Sequence, residues 1–116
     1  MDRQKAYDTA KAGLLAQNRK SSDERGFCRL RGFDGTKCAI GFMIPDDMYD
    51  PGWEGGTVDE VLFKRGQSGL TLADVLGVND SDVGFLAELQ SIHDNSAPVN
   101  WGWRLEKFAT KRGLIP

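Results

Sequence analysis

The sequence predicts an α+β fold, a mainly helical single domain carrying a small antiparallel β-hairpin at about residues 27–41. Three observations lead there. Apolar residues recur at three- and four-residue spacing near the start of the chain and through its second half, as a helix with one buried face requires. An Asp34-Gly35 pair, a strong two-residue turn signal, separates two short apolar-rich segments. Thr residues followed three positions later by Glu or Asp punctuate the second half as helix starts. The 116 residues suffice for one self-contained core. A chain that is 40% apolar and 28% charged has the composition of a folded domain rather than a disordered one.

In chain order, residues 4–17 read as an amphipathic helix, with Ala6, Ala10 and Leu14 four apart and Tyr7 and Leu15 widening the stripe. Gly13 weakens that helix from within. Residues 18–23 form a polar break. The hairpin comes next: a turn at Asp34-Gly35 pairs Phe33 with Thr36, Arg31 with Cys38, and Cys28 with Gly41. Facing pairs alternate between the two sides of a ribbon, so Arg31 and Cys38 share one face and Cys28 takes the other, which argues against a Cys28–Cys38 disulfide. A competing reading starts a short helix near Lys37, because Ala39, Ile40, Phe42, Met43 and Ile44 suit either state. Pro45 stops either element, and the run before it is apolar enough to form the centre of the core.

Residues 46–56 read as an irregular acidic and aromatic loop. Thr57 and Glu60 make a capping box, with Gly66 closing that short helix. Thr71 with Asp74 starts another helix, 72–76, ended by Gly77. Asp80 or Ser81 caps a longer helix through about His93, with Phe85, Leu86, Leu89 and Ile92 on its apolar face. The last helix, from about Asn100 to Lys111, buries Trp101, Leu105, Phe108 and Ala109, and Gly113 is its C′ residue.

Fifteen basic against seventeen acidic residues leave a net charge of −2, which offers no broad positive field for nucleic acid. No stretch approaches the ~18 consecutive apolar residues of a membrane span, and the first residues lack the apolar region of a secretory signal. The expectation is a cytoplasmic protein whose two cysteines stay reduced.

Four groups of residues could carry chemistry. Cys38, beside Lys37 and Arg31, would be a nucleophile with a depressed pKa, with His93 as its base and Asp94 or Asn100 orienting the imidazole. Cys28, Cys38 and His93 with Asp46 or Asp47 could ligate a metal, but the nine-residue gap between the cysteines does not match zinc-site spacing, so no metal and no cofactor are expected. Asp46, Asp47, Asp50 and Glu54 lack the spacing of a calcium loop, and the glycines at 32 and 35 lack that of a phosphate-binding loop. Trp53, set between glycine and glutamate, and Trp103, two residues past the core-facing Trp101, are the candidate interface anchors. Arg31 and Tyr49 complete the binding candidates.

The block Cys28-Arg29-Leu30-Arg31-Gly32, Gly35-Thr36-Lys37-Cys38-Ala39-Ile40-Gly41, Ile44-Pro45-Asp46, Tyr49-Asp50 and Glu54-Gly55, together with the later Leu89-Gln90-Ser91-Ile92-His93-Asp94 and Trp101, resembles a family of small uncharacterised proteins of tailed phages and prophages. Arg29-Leu30-Arg31 departs from that pattern, which carries an aromatic before the arginine. The resemblance implies a phage origin and expression in a bacterial cytoplasm, and it brings no activity with it. The expected function is a non-enzymatic accessory protein that binds a bacterial host protein or a small molecule. A cysteine-dependent hydrolase or transferase is the alternative, and a virion or assembly component the third reading.

Overall fold

A computed structural model describes residues 1–22 and 29–116 of the chain. Its first helix, α1 (Arg3–Gln17), starts where Asp2 Oδ1 accepts from Lys5 N at 3.0 Å and ends at Asn18 in the left-handed region. Ala6, Tyr7, Ala10 and Leu14 are its buried face, the stripe the spacing predicts. Gly13 has a packing reason: a Cβ there would overlap the Phe42 ring of the next helix.

The predicted hairpin does not form. Among the described residues there is no β-strand, and the domain is helical. The chain does reverse at the expected place. Gly35 takes φ 81°, its N–H donates to Gly32 O, and Gly32 N–H donates to Thr36 O at 2.8 Å. The pairing stops there because the backbone groups a ribbon would use are taken by side chains from elsewhere. Leu30 N–H and Arg31 N–H donate to Glu54 Oε1 and Oε2 at 2.9 and 3.0 Å. Ser21 Oγ lies 2.7 Å from Arg29 O and 3.3 Å from Thr36 O, between the two arms. On the second arm, Lys37 N–H donates to Gln17 Oε1 at 2.8 Å. The competing reading holds instead: a one-turn helix, α2 (Ala39–Met43), succeeds the turn, with Cys38 as its N-cap. Residues 27 and 28 of the expected ribbon, Cys28 among them, lie outside the described residues.

The run before Pro45 is interior, as its composition requires: Cys38, Ala39, Ile40, Gly41 and Ile44 are all buried. Gly41 is obligatory there, since a Cβ would overlap the Leu30 carbonyl oxygen. Residues 46–56 form two short 3₁₀ turns, Asp46–Met48 and Pro51–Trp53. Asp50 ties this stretch to the next loop: its carboxylate accepts from the N–H groups of Gly52, Gln67 and Ser68 at 2.8, 3.0 and 2.9 Å. Those donors, Ser68 first, hold its pKa down to about 2.

The second half follows the sequence reading with two corrections: α3 ends at Lys64 rather than at Gly66, and Asn79, not Asp80 or Ser81, caps the turn that leads into the longer helix. Thr57 and Glu60 form the capping box of α3 (Val58–Phe63), and Thr71 and Asp74 that of α4 (Leu72–Leu76), which ends at Gly77 with φ 68°. A 3₁₀ turn at Asp80–Asp82 leads into α5 (Val83–Asn95), and a second at Pro98–Asn100 leads into α6 (Trp101–Lys111). α5 and α6 run antiparallel, joined at one end by Glu88 with Lys111 and Arg112, at 3.1 and 2.8 Å. α1 closes the core against α2 and α6. Tyr7 Oη donates to Leu105 O at 3.0 Å, and the Tyr7 and Phe85 rings both pack on Phe108. Among the described residues no helix is long and apolar enough to cross a membrane.

Candidate functional site

Cys38 sits at the start of α2, where its Sγ accepts from Gly41 N–H at 3.4 Å, and it is 3% exposed. His93 faces inward from α5 as its spacing predicts and is fully buried, stacked on Trp101 at 5.4 Å between ring centroids. Its Nε2 accepts from Ser21 N–H at 3.0 Å. A backbone N–H can only donate, so Nε2 holds the lone pair and Nδ1 the proton. That proton points at Asp94 Oδ1, 2.8 Å away. Asp94 therefore does orient the imidazole, whereas Asn100 accepts from Trp103 Nε1 at 3.2 Å instead. The consequence runs against base catalysis: the lone pair that would take a thiol proton already holds a backbone amide. His93, Asp94 and Gln90 form a chain of hydrogen bonds, since Gln90 Nε2 donates to Asp94 Oδ1 at 2.8 Å and Gln90 Oε1 accepts from Ile40 N–H at 3.1 Å. This chain pins α5 to α2.

Cys38 and Asp94 do share the wall of one cavity, of about 110 Å³, with Arg29, Glu54, Gln90 and the apolar Ile40 and Val61. Glu54 is the organising group on its far side. Besides the two backbone donors already described, its carboxylate accepts from Tyr49 Oη at 2.7 Å and lies 3.6 Å from the Arg29 guanidinium. Burial first, and this bond second, push the Tyr49 pKa up to about 12. Arg31 is equally committed. Its guanidinium donates to Gly41 O, to Ile44 O at 2.8 Å and to Asp46 Oδ1 at 3.1 Å, and lies over the Tyr49 ring at 5.2 Å. It thus closes the carbonyl end of α2. Lys37 joins it on Asp46 at 3.1 Å. Arg31 and Tyr49, two of the binding candidates, are brought together, both half-buried and with their polar groups engaged within the molecule. Among the described residues, no group of three or more His, Cys, Asp or Glu side chains could hold a metal ion.

The tryptophans divide. Trp53 is 1% exposed and its Nε1 donates to Leu70 O at 3.0 Å, so it anchors the loop to the core. Trp101 is fully buried, donating to Ser96 O. Trp103 alone of the three reaches the surface, 50% exposed. It walls a groove of about 290 Å³ between α5 and α6, whose deeper surface is Ile92 and Phe108 and whose rim carries Ser91, Asn95 and Lys107. The Arg104 guanidinium covers one side of the Trp103 ring at 4.8 Å. Val99, four residues before Trp103, is 84% exposed.

Sequence reasoning missed Gln90 and Glu54 as organising groups. Gln90 left a trace, because it lies four residues after Leu86 and three before His93, a polar residue on an inward face. Glu54 left none, since its two backbone donors are 23 and 24 residues away. Compared with known proteins, the chain matches no family model, no curated protein and no solved structure.

Proposed function

We propose that this chain is a phage-encoded accessory protein that acts without catalysis, in the host bacterial cytoplasm, by docking a bacterial protein against the Trp103 face. The observation that carries the reading is the exposure of Trp103 beside an apolar-floored groove, when the other two tryptophans are buried and hydrogen-bonded. A half-exposed tryptophan with an adjacent pocket is the usual anchor of a protein interface. The phage origin rests on the sequence resemblance alone. The cysteine-enzyme alternative has less support, because both nitrogens of His93 are engaged and Cys38 is buried.

The test compares Trp103→Ala with Trp53→Ala. Trp103→Ala is expected to shift the melting temperature little while abolishing recovery of a specific host protein from bacterial lysate. Trp53→Ala is expected to destabilise the fold by about 3–5 kcal/mol. Recovery of the same partner by Trp103→Ala would rule out this face. Alkylation of Cys38 by iodoacetamide, tracked on its own peptide by mass spectrometry, is expected to be limited by unfolding. Fast alkylation at neutral pH, slowed by His93→Ala, would restore the enzyme reading.

A further inference from the structure

Resting on the Trp103 docking reading, we propose that the groove between α5 and α6 selects an acidic amphipathic segment of its protein partner, with an apolar side chain seated beside Trp103. Charge complementarity points there, on a patch that differs from the rest of the molecule. The chain as a whole is acidic, at −2. The groove, however, presents Arg104, Lys107 and Lys111 against one carboxylate, Glu88. Glu88 is already neutralised by Lys111 and Arg112, whose contacts, that of Arg112 foremost, hold its pKa below the usual carboxylate range. Arg104 and Lys107 make no ion pair among the described residues. Two cations therefore flank an exposed tryptophan and an Ile92–Phe108 floor with their charge uncompensated.

An acidic segment satisfies all of these features together. Its apolar residue removes Trp103 and the floor from water, and its carboxylates meet Arg104 and Lys107 at the rim, where charge steers encounter and selects the partner. Two parallel walls supplied by antiparallel helices suit an amphipathic segment laid along the groove. Nucleic acid fits less well. It would need a longer run of cations along a phosphate path than Arg104, Lys107 and Lys111 supply.

The experiment is a selection of random peptides displayed against the full chain. Recovered peptides are then titrated against the unaltered protein, Trp103→Ala and the double variant Arg104→Glu with Lys107→Glu. Melting curves establish that the variants fold. The proposal expects peptides enriched in Asp and Glu around an apolar residue, an affinity that falls with added salt, and a loss of about tenfold in the charge-reversed variant, the sum of two rim ion pairs. Peptides that depend on Trp103 yet carry no acidic bias would overturn the acidic selection and leave the docking reading standing. Peptides that ignore Trp103 would overturn both. A single-stranded oligonucleotide that binds in a Trp103-dependent manner, tighter than the best peptide, would replace the peptide with nucleic acid.

Discussion

In α3 and α4 the first-turn backbone is satisfied from three residues away, by Thr57 with Glu60 and Thr71 with Asp74. In residues 29–40 the N–H groups of Leu30, Arg31, Lys37 and Ile40 are satisfied by Glu54, Gln17 and Gln90, across separations of 20–50 residues. Both regions obey the same requirement that backbone N–H groups left outside regular ladders find partners. They differ in where the partner comes from. Local capping makes each helix nearly independent, so damage stays local. Long-range satisfaction makes one side chain answer for several groups, so its loss strips all of them at once.

The largest expected effect therefore comes from Glu54→Ala. It removes the acceptor of two backbone N–H groups and of Tyr49 Oη, and it leaves the Arg29 guanidinium without its carboxylate. A loss of about 3 kcal/mol is expected in urea unfolding, because three part-buried donors lose their shared acceptor at once. Glu54→Gln, which keeps a carbonyl acceptor, should lose less. If Glu54→Ala costs no more than a capping residue, the contrast between the two regions disappears.

Gly41→Ala comes next, because the added methyl would press on the Leu30 carbonyl where α2 meets the first arm. About 1–3 kcal/mol of destabilisation is expected, with the chain forced apart at that contact. The control is Gly84→Ala on α5, where a Cβ meets nothing within 4 Å. It should be neutral or stabilising by up to about 0.5 kcal/mol, the smallest effect in the series.

Asp50 tests the same idea by pH. Its pKa falls from 3.8 to about 2 on folding, so the folded state binds its proton less well than the unfolded state. Its contribution is then fully present above 3.8 and is lost as pH falls through about 2. Urea midpoints measured across that interval should drop for the unaltered protein and drop less for Asp50→Asn. Parallel curves would mean that the knot between residues 50 and 66–68 adds nothing to stability. Thr71→Ala should cost about 1 kcal/mol and leave hydrogen exchange outside α4 unchanged, as expected of a cap that serves one helix. Slowing or quickening of exchange in α2 would show that α4 is less modular than its contacts suggest.

The same contrast explains how much of the fold is legible in the residues alone. The helices from Thr57 onward are legible because each carries its own apolar face, and α3 and α4 their own capping boxes, within a few residues. So is the chain reversal at Asp34-Gly35, which Asp34 and Gly35 encode between them. The segment after the reversal cannot be read as ribbon or helix from its own residues, because Gln17, Ser21, Glu54 and Gln90 decide it from distant positions. At the candidate site the inward placement of His93 can be read from spacing, whereas the choice of Asp94 over Asn100 as its partner is made by the fold. The destination of Nε2 cannot, because its donor is Ser21 N–H, 72 residues earlier. Trp53 and Trp103 look alike in sequence. Loop packing under Leu70 buries the first, and the helical register two residues past Trp101 exposes the second.

The bond from Tyr7 to Leu105 spans 98 residues and has a consequence for synthesis on the ribosome. At a translation rate of about 5–20 residues per second, α1 emerges about 5–20 s before the helix that finally covers it. During that delay Tyr7 and its neighbours are exposed to chaperones and to other nascent chains, and the order of translation, rather than the strength of any contact, sets how long the newborn protein stays vulnerable.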